Sequence, residues 1–218
     1  MPVTSTLSVV VVRPQLESND MGHGRLSTCL LCGGMSRRMG TDKALIPHPR
    51  GGVWLTALLD QLCALALPVV VVSGHEIHAA LIRGRDGVSF LQEPVPWNGP
   101  LQAFAQVLSP TSDQPLMVLP VDMPRLTTTV LHGLIQAWSR EPQVAAVAHD
   151  GERLQPLLGI YPSGPPFQST LTTQLKGDDW SWHAWLDCIP HQPVALPAEA
   201  LLNANCPEDL AALSDEHS

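Results

Sequence analysis

The sequence contains three almost entirely apolar runs that are too continuous for strands with one solvent-exposed face. They are Thr28–Cys32, Val69–Val72 and Leu116–Val121. A half-exposed strand alternates apolar and polar residues, whereas a strand covered on both faces has no need to do so. The consecutive valines of the second run also favour a strand over a helix. The three runs therefore predict a mostly parallel sheet that is covered on both faces.

Segments with helical periodicity separate these runs. Over residues 53–67, for example, Trp54 and several leucines recur at a spacing of three to four residues, and Pro68 follows. We predict strands at 28–32, 69–72, 88–92, 116–121, 144–148, 157–161 and 194–196. We predict helices at 53–67, 75–83, 101–108, 127–139 with Thr127 as its N-cap, 167–175, 180–186 and 207–213. This order predicts an α/β fold, a single-domain three-layer α/β/α arrangement that is Rossmann-like with a mostly parallel central sheet.

The overall charge excludes several classes of partner. The 218 residues include 12 Lys and Arg against 20 Asp and Glu, a formal net charge of -8. Proteins that bind duplex nucleic acid or anionic membranes normally carry a basic excess. The longest apolar stretches also fall short of the roughly 20 residues that a membrane-spanning helix needs. We therefore expect no nucleic-acid partner and no membrane partner.

Residues 1–26 differ from the rest of the chain. They hold glycines and prolines and show no periodicity, and Met21 is a second candidate initiator. The apolar run Leu7–Val12 has no lysine or arginine before it and no Ala-x-Ala-like site after it, both of which a signal peptide needs. We expect a flexible N-terminal extension over residues 1–26 and one domain over residues 27–218.

The five cysteines are predicted to be free thiols. Cys29 and Cys32 have the Cys-x-x-Cys spacing of a redox or zinc site, but no second cysteine or histidine pair follows at ligand spacing. In a strand, side chains three residues apart point to opposite faces, which would separate the two thiols. Buried free thiols indicate a reducing compartment, so we expect a cytoplasmic protein.

The segment after the first predicted strand holds a concentration of positive charge. It reads Gly33-Gly-Met-Ser-Arg-Arg-Met-Gly-Thr-Asp-Lys43 and includes Arg37 and Arg38. Glycines let the backbone approach an anion and offer N–H groups to it. The spacing matches neither a P-loop nor the Gly-x-Gly-x-x-Gly fingerprint, and a surface loop with solvated charges is the alternative. The segment lies between a predicted strand and a predicted helix and has glycine at both ends, which favours a polyphosphate site.

A carboxylate follows the strand at 116–121. Asp122 stands at the edge where ligands bind to open parallel sheets. Its oxygens suit a hard cation such as Mg²⁺, whereas the alternative is an ordinary turn or helix cap. A phosphate loop on the same edge favours the metal site. Glu93, after another strand, and Gly99, at a helix start, are weaker candidates for ligand contacts.

The histidines and tryptophans considered next favour structural roles over ligand binding. His75, His78 and His149 lack ligand spacing and are predicted to be surface histidines. The tryptophans of the segment 180–185 are predicted to pack beneath a helix, with stacking on an aromatic ligand as the alternative. The chain has no Gly-x-Ser-x-Gly elbow, which argues against a Ser-His-Asp hydrolase.

The segment Leu31–Lys43 resembles the Leu-x-Gly-Gly-x-Ser-x-Arg-Met-Gly-x-Asp-Lys signature of the molybdenum cofactor guanylyltransferases, within the nucleotidyltransferase superfamily. The likeness covers about residues 27–213. It continues through Gly99-Pro-Leu101, Pro120-Val-Asp-Met-Pro124, His149-Asp-Gly-Glu-Arg153 with Gln155-Pro156, and Asn203-Ala-Asn-Cys-Pro-Glu-Asp-Leu210. The resemblance implies a nucleotidyltransferase fold and transfer of GMP from GTP to molybdenum-carrying molybdopterin, with release of pyrophosphate. It also implies Mg²⁺ as cofactor and transient contacts with proteins that deliver molybdopterin and with molybdoenzymes or their chaperones.

The resemblance assigns roles to individual residues. Those assigned to the nucleotide are Leu31, Cys32, Gly33, Gly34, Lys43, Ser73, Glu93 and Asp122, the last of which also binds Mg²⁺. Further ligand-binding residues are Gly99 and, on the pterin side, Asn203 and Asn205. Arg37, Arg38 and Lys43 are expected to neutralise the triphosphate as pyrophosphate leaves. The attacking phosphate of the pterin is already ionised near neutral pH, so no general base is required.

The sequence departs from the family pattern at a few positions. Alanine is usual where Cys32 stands, aspartate is usual near Glu93 and asparagine is frequent near Ser73; Cys206 replaces a usual threonine. Two alternatives remain: a cytidylyltransferase or another nucleotidyltransferase of this fold, and a non-catalytic nucleotide-binding protein for cofactor delivery. The pair Gly33-Gly34, where the sister enzymes tend to have Ala-Gly or Ala-Ala, favours guanylyl transfer.

Overall fold

A computed structural model describes residues 26–33, 41–49, 51–93, 98–108, 114–177 and 179–204. In these ranges the strands are β1 (Ser27–Leu31), β2 (Val69–Ser73), β3 (Val88–Gln92), β4 (Leu116–Pro120), β5 (Ala145–His149), β6 (Leu154–Tyr161) and β7 (His191–Ala195). The α-helices are α1 (Trp54–Cys63), α2 (Glu76–Ile82), α3 (Pro100–Val107), α4 (Thr128–Trp138), α5 (Phe167–Lys176) and α6 (Trp182–Leu186). Short 3-10 helices lie at Lys43–Leu45 and Ala198–Leu201. The predicted helix at 207–213 lies outside the described residues.

The strands form one sheet in the order β3-β2-β1-β4-β6-β5-β7. The pairs β1–β2, β1–β4, β2–β3 and β5–β7 are parallel, whereas β6 runs antiparallel to both of its neighbours. The predicted mostly parallel sheet is therefore confirmed. The direction of β6, which was not predicted, follows from its connection. Only the turn at 150–153 joins β5 to β6, and a parallel connection needs a crossover of a dozen or more residues.

Both faces of the sheet are buried, as the apolar runs predict. Helices α1, α2 and α4 contribute buried side chains to one apolar cluster, and α3, α5 and α6 contribute to a second. Residues of β1 alternate between them, since Leu30 lies in the first cluster and Cys29 and Leu31 lie in the second. Two helical layers thus enclose the sheet, and the predicted three-layer α/β/α architecture is confirmed.

Local sequence explains where the helices begin and end. Thr127 caps α4 because its Oγ1 accepts a hydrogen bond from the N–H of Val130 at 3.4 Å, which confirms the predicted N-cap. Helix α1 ends at Cys63 rather than at residue 67, since Ala66 takes a left-handed conformation with φ of 54° ahead of Pro68. None of the helices in the described ranges has the length and apolar character needed to cross a membrane.

The strand order creates a crevice at the carboxyl ends of β1 and β4. From β1 the chain proceeds to β2 and β3 on one side, and then returns past β1 to β4 on the other. Leu31 is in register with Pro120, and its C=O accepts a hydrogen bond from the N–H of Val121 at 3.0 Å. At such a switch point the loops that leave the two strands diverge, and ligands bind between them. The segments after Leu31 and Pro120 therefore flank one crevice.

Gly159 in β6 tests how tightly the sheet is packed. A Cβ atom at this position would lie 2.9 Å from the backbone oxygen of Ala146, which belongs to the paired strand β5. Because that oxygen is held within the sheet, we expect Gly159→Ala to lower the free energy of unfolding by about 1–3 kcal/mol. Urea denaturation measures the change.

Gly133 provides a matched control for this substitution. It lies within α4, and a Cβ atom there would be 3.6 Å from a methyl group of Leu196, an ordinary contact. Alanine is also the better helix former, so Gly133→Ala is expected to raise the free energy of unfolding by about 0.5–1 kcal/mol. Equal stabilities of the Gly159→Ala variant and the wild type would show that the sheet yields at this position.

Candidate active site

Lys43 and Asp122 form an ion pair across the crevice. The Lys43 Nζ lies 2.9 Å from Asp122 Oδ2, although the residues are 79 positions apart in sequence. Lys43 begins a short 3-10 helix and Asp122 follows β4. The side chains are 17% and 22% exposed, so a ligand can reach both. The structure brings together the predicted phosphate-binding lysine and the predicted Mg²⁺ ligand, while their roles stay predictions.

Gly33 is the last described residue of β1's outgoing segment before the described chain resumes at Thr41. Leu31 and Cys32 have buried side chains, and the N–H of Cys32 still belongs to the sheet, since it donates to the C=O of Val72 at 2.9 Å. Some predicted site residues lie outside the described ranges, and their roles stay predictions: Gly34, Arg37, Arg38 and Asn205.

The surroundings of Asp122 suit a cation that arrives with a nucleotide. In the part of the chain that the structure describes, no group of three or more His, Cys, Asp or Glu side chains could hold a metal ion. Mg²⁺ is commonly held by one or two carboxylates together with substrate phosphates and water. The Lys43 ammonium contacts Oδ2 of Asp122, which leaves this carboxylate a second oxygen with which to bind a cation. Asp122 therefore fits the predicted Mg²⁺ once a triphosphate supplies further oxygens.

Three residues, of which Ser73 and His78 are buried and Asp42 is partly exposed, form a hydrogen-bonded set, the Ser73–His78–Asp42 set, which connects the neighbour of Lys43 with the end of β2. Asp42 Oδ2 lies 2.9 Å from His78 Nε2, and His78 Nδ1 lies 2.7 Å from Ser73 Oγ. Ser73 Oγ also accepts a hydrogen bond from the N–H of His75 at 3.1 Å. Burial lowers the pKa of His78 and therefore favours the neutral ring. The Asp42 carboxylate has the opposite effect on this pKa, but the effect of burial is larger.

The Ser73–His78–Asp42 set corrects one prediction. His78 is fully buried on α2 and is not a surface histidine, because Ser73 and Asp42 supply partners for both of its ring nitrogens. The residue types are those of a hydrolase triad, yet Ser73 is itself fully buried and its hydroxyl already bonds within the protein. The set is therefore a structural one. The predicted contact between Ser73 and the guanosine stays a prediction.

Glu93 follows β3 and is buried. Its N–H donates to the C=O of Ser73 at 2.9 Å, which places it beside the end of β2. Burial raises the pKa values of the Cys29 and Cys32 thiols, and the charge of Glu93 contributes to both. The two cysteines belong to different apolar clusters and are free, which confirms the predicted separation of the thiols. The role of Glu93 at the guanosine stays a prediction.

A groove of about 620 Å³ adjoins Asp122. Its wall includes Pro120 and Met123, and its polar lining residues are Arg153, Gln155, His183 and Asn203. The N–H of Ala204 donates to the C=O of Asp122 at 3.0 Å, which holds the wall around Asn203 against the ion pair. Asn203, predicted for the pterin side, is thus placed in the groove.

The predicted ligand residue Gly99 is the N-cap of α3, next to this groove. Its φ of 101° lies in the left-handed region that favours glycine. The following residue, Pro100, lines the groove. Gly99 therefore sets the entry of the chain into α3, while its predicted contact with a ligand stays a prediction.

A cluster of four aromatic side chains includes Trp182, which lines the groove. Its rings belong to Phe104, Tyr161, Trp182 and Trp185. Trp182 Nε1 donates to the hydroxyl of Tyr161 at 3.0 Å, and that hydroxyl donates to the C=O of Pro156 at 2.6 Å. The prediction that the tryptophans pack beneath a helix is confirmed for Trp182 and Trp185, whereas Trp180 is exposed.

The turn between β5 and β6 positions two groove residues to which the sequence analysis assigned no role, Arg153 and Gln155. Asp150 Oδ1 accepts hydrogen bonds from the N–H groups of Arg153 and Glu152, both at 2.9 Å, and Oδ2 accepts from Gln155 Nε2 at 2.7 Å. These bonds, the one from Arg153 first, lower the pKa of Asp150 to about 2. The dipeptide Asp-Gly at 150–151 is a hairpin signal, so the turn was recognisable from sequence.

Solved structures of other proteins share this architecture. The molybdopterin-guanine dinucleotide biosynthesis protein A of Archaeoglobus fulgidus superposes with a TM-score of 0.69 at 19% identity, over 88% of this chain and 98% of that one. A nucleotidyl transferase from Methanothermobacter thermautotroptrophicus superposes with a TM-score of 0.68 at 16% identity, over 88% and 97%. The chain thus has a nucleotidyltransferase fold, as predicted.

Comparison of sequences then identifies the family. A family profile described as MobA-like NTP transferase domain matches residues 28–188. A protein of Rhodopirellula baltica named probable molybdenum cofactor guanylyltransferase is 37% identical over 187 residues, which cover 83% of this chain and 88% of that protein. The chain belongs to the MobA-like NTP transferase family. The resemblance drawn from the signature at 31–43 is confirmed.

The low pKa of Asp150 leads to a prediction about the β5–β6 turn. A carboxylate whose pKa is lowered on folding stabilises the turn above its unfolded pKa and loses that contribution as the pH falls through its folded value. We expect the Asp150 carboxyl to titrate at about pH 2 rather than at its ordinary 3.8. We also expect the Gln155 side-chain amide to shift in the same pH range.

NMR titration of the carboxyl carbon and of that amide measures both quantities. In the Asp150→Asn variant, the Gln155 amide should show no transition at this pH. An Asp150 carboxyl that titrates near pH 3.8, with an unmoved Gln155 amide, would contradict the hydrogen bonds described for the turn.

Proposed function

We propose that this protein transfers GMP from GTP to molybdenum-carrying molybdopterin, which releases pyrophosphate and forms molybdopterin guanine dinucleotide. The observation that carries this proposal is the Lys43–Asp122 pair, together with the groove that contains Asn203 and is lined by Pro120 and Met123, which flank Asp122 in the chain. The name of the Rhodopirellula baltica relative, which matches most of this chain, supports the same activity. The transfer joins two substrates at their phosphates, so their two binding sites must meet at one point.

The nucleotide would lie along the segment that follows β1. Gly33 offers backbone without a side chain, and Lys43 offers an ammonium at the end of the same segment. A triphosphate carries several negative charges and is a stronger partner for Lys43 than the single carboxylate of Asp122. Arg37 and Arg38 would add positive charge from the same segment. This neutralisation matters because the reaction brings an anionic acceptor onto an anionic donor.

Asp122 would hold Mg²⁺ together with oxygens of the triphosphate. Mg²⁺ bound there supplies positive charge that offsets the charge developing on the phosphates. Asp122 need not accept a proton, because a phosphate monoester has a second pKa of about 6 and the acceptor is largely ionised near neutral pH. The contribution of the protein is therefore to position two substrates and to balance their charge.

The acceptor would occupy the groove. Its volume of about 620 Å³ is within the range of small-molecule sites and suits fused pterin rings. The amides of Gln155 and Asn203 can donate to and accept from the edge of such a ring. The guanidinium of Arg153 is suited to the phosphate of the acceptor. An acceptor phosphate placed in the groove would face a nucleotide held by Lys43.

We further propose that the protein acts in the cytoplasm. The described cysteines are free thiols, as is usual in a reducing compartment. We include in the same proposal transient contacts with proteins that deliver molybdopterin and with molybdoenzymes or their chaperones.

Nucleotide preference tests the guanylyl assignment. With Mg²⁺ present, we expect GTP to bind at least about tenfold more tightly than CTP, a difference of about 1.4 kcal/mol in binding free energy. Isothermal titration calorimetry measures both, with ATP as a purine control. Addition of molybdenum-carrying molybdopterin should then convert GTP into pyrophosphate and the dinucleotide. Tighter CTP binding would favour a cytidylyltransferase, and GTP binding without turnover would favour a delivery protein.

Asp122→Asn tests the metal role. The substitution keeps the shape of the side chain and removes the charge that binds Mg²⁺, so we expect kcat to fall more than about 100-fold. Much of the GTP affinity should remain, because Lys43 is still present to bind phosphate. Asp60→Asn is a matched control on α1, where Asp60 pairs with Arg85 at the surface. Unaltered turnover in the Asp122→Asn variant would refute the metal role.

A further inference from the structure

The residue that directly precedes Lys43 is an aspartate, which is an unexpected neighbour for a phosphate-binding cation. A free carboxylate at this position would repel a triphosphate and compete for the Lys43 ammonium. Both oxygens of Asp42 are instead engaged elsewhere. Oδ1 accepts a hydrogen bond from the N–H of Ala44 at 3.0 Å, and Oδ2 lies 2.9 Å from His78 Nε2.

The hydrogen bonds around His78 determine which of its ring nitrogens carries the proton. A carboxylate oxygen can only accept, so His78 Nε2, which lies 2.9 Å from Asp42 Oδ2, carries the proton. Nδ1 of the neutral ring then accepts from the hydroxyl of Ser73, 2.7 Å away. The tautomer assigned from this network therefore makes His78 a donor to the Asp42 carboxylate.

We propose that His78 is a positioning residue for the phosphate site: it holds the Asp42 carboxylate away from Lys43, so that the Lys43 ammonium is directed to Asp122 and to the bound triphosphate. The inference rests on the proposed function in one respect, namely that Lys43 binds the nucleotide phosphates. His78 itself touches neither substrate. An apolar side chain at this buried position would fill the space but leave Asp42 Oδ2 without its donor.

Two substitutions of His78 separate its two hydrogen bonds. The amide nitrogen of glutamine lies near the place of His Nε2, so His78→Gln keeps a donor for Asp42. The amide of asparagine reaches only the place of Nδ1, so His78→Asn keeps a partner for Ser73 and releases Asp42. We expect His78→Asn to weaken binding of GTP, and of inorganic tripolyphosphate, about tenfold with Mg²⁺ present. His78→Gln should weaken it about threefold at most.

A second variant tests whether the released charge of Asp42 causes the loss. Asparagine at position 42 keeps the oxygen that accepts from the N–H of Ala44 but has no charge with which to hold Lys43. The double variant His78→Asn/Asp42→Asn is therefore expected to bind tripolyphosphate more tightly than His78→Asn alone. Removal of a nearby carboxylate favours an anion in any background, so the Asp42→Asn variant completes the cycle. A gain from Asp42→Asn that is larger in the His78→Asn background than in the wild type identifies the released charge as the cause.

Calorimetry with GTP and tripolyphosphate, steady-state kinetics and thermal unfolding of each variant provide the readouts. The KM for GTP should rise in the His78→Asn variant while the KM for the acceptor stays unchanged. Equal losses in the Asn and Gln variants, unchanged tripolyphosphate binding, or no recovery in the double variant would overturn the inference.

If His78→Asn does not fold, Ser73→Ala loosens the same ring with little change in volume, and unaltered tripolyphosphate binding there would also overturn it. A wild-type protein that binds no GTP would instead contradict the proposed function.

Discussion

The parallel pairing of β1 with β4 is the constraint on which the site depends. The two strands are neighbours in the sheet although the β2 and β3 units separate them in the chain, and their last residues are in register at Leu31 and Pro120. This register brings the segment after β1 and the carboxylate after β4 to one point, so that Lys43 can reach Asp122 at 2.9 Å. A slip of one residue would turn every side chain of the slipped strand to the other face of the sheet. The continuous apolar core on both faces therefore also maintains the geometry of the ion pair.

The charges near this point explain why the acidic composition is compatible with an anionic ligand. A formal charge of -8 describes the whole chain, whereas binding responds to the charges within about a Debye length of the ligand. Lys43 has two carboxylate neighbours, one in space and one in sequence. Asp122 pairs with it, and Asp42 is held by the N–H of Ala44 and by the ring of His78. Under the proposals above, the Ser73–His78–Asp42 set would hold one competing anion away from Lys43 and would leave Asp122 to bind Mg²⁺.

Much of the fold follows from the sequence, but less of the site does. The apolar runs identify β1, β2 and β4 because a strand buried on both faces needs no alternation. The glycines and cations after β1 predict a phosphate-binding segment, and this role stays a prediction. His78 was assigned to the surface because a lone histidine on a short helix carries no sign of its partners, which lie five and 36 positions away. Arg153 and Gln155 carried no assigned role because their place in the groove depends on the direction of β6. The Asp-Gly dipeptide at 150–151 signals the hairpin that sets this direction, but it does not show which groove the residues after it line.

The direction of β6 shows how the two halves of the site come together. If β6 were parallel to β4, its first residues would lie at the opposite edge of the sheet, far from Asp122. Because it is antiparallel to β4 and β5, its amino end lies at the edge where the parallel strands end. Arg153 and Gln155 therefore line the same groove as Pro120 and Asn203. The β1–β4 pairing brings the residues proposed for the nucleotide close to Asp122. The hairpin turn of Asp150 brings the residues proposed for the acceptor to the same edge of the sheet. The two substrates would have to meet there.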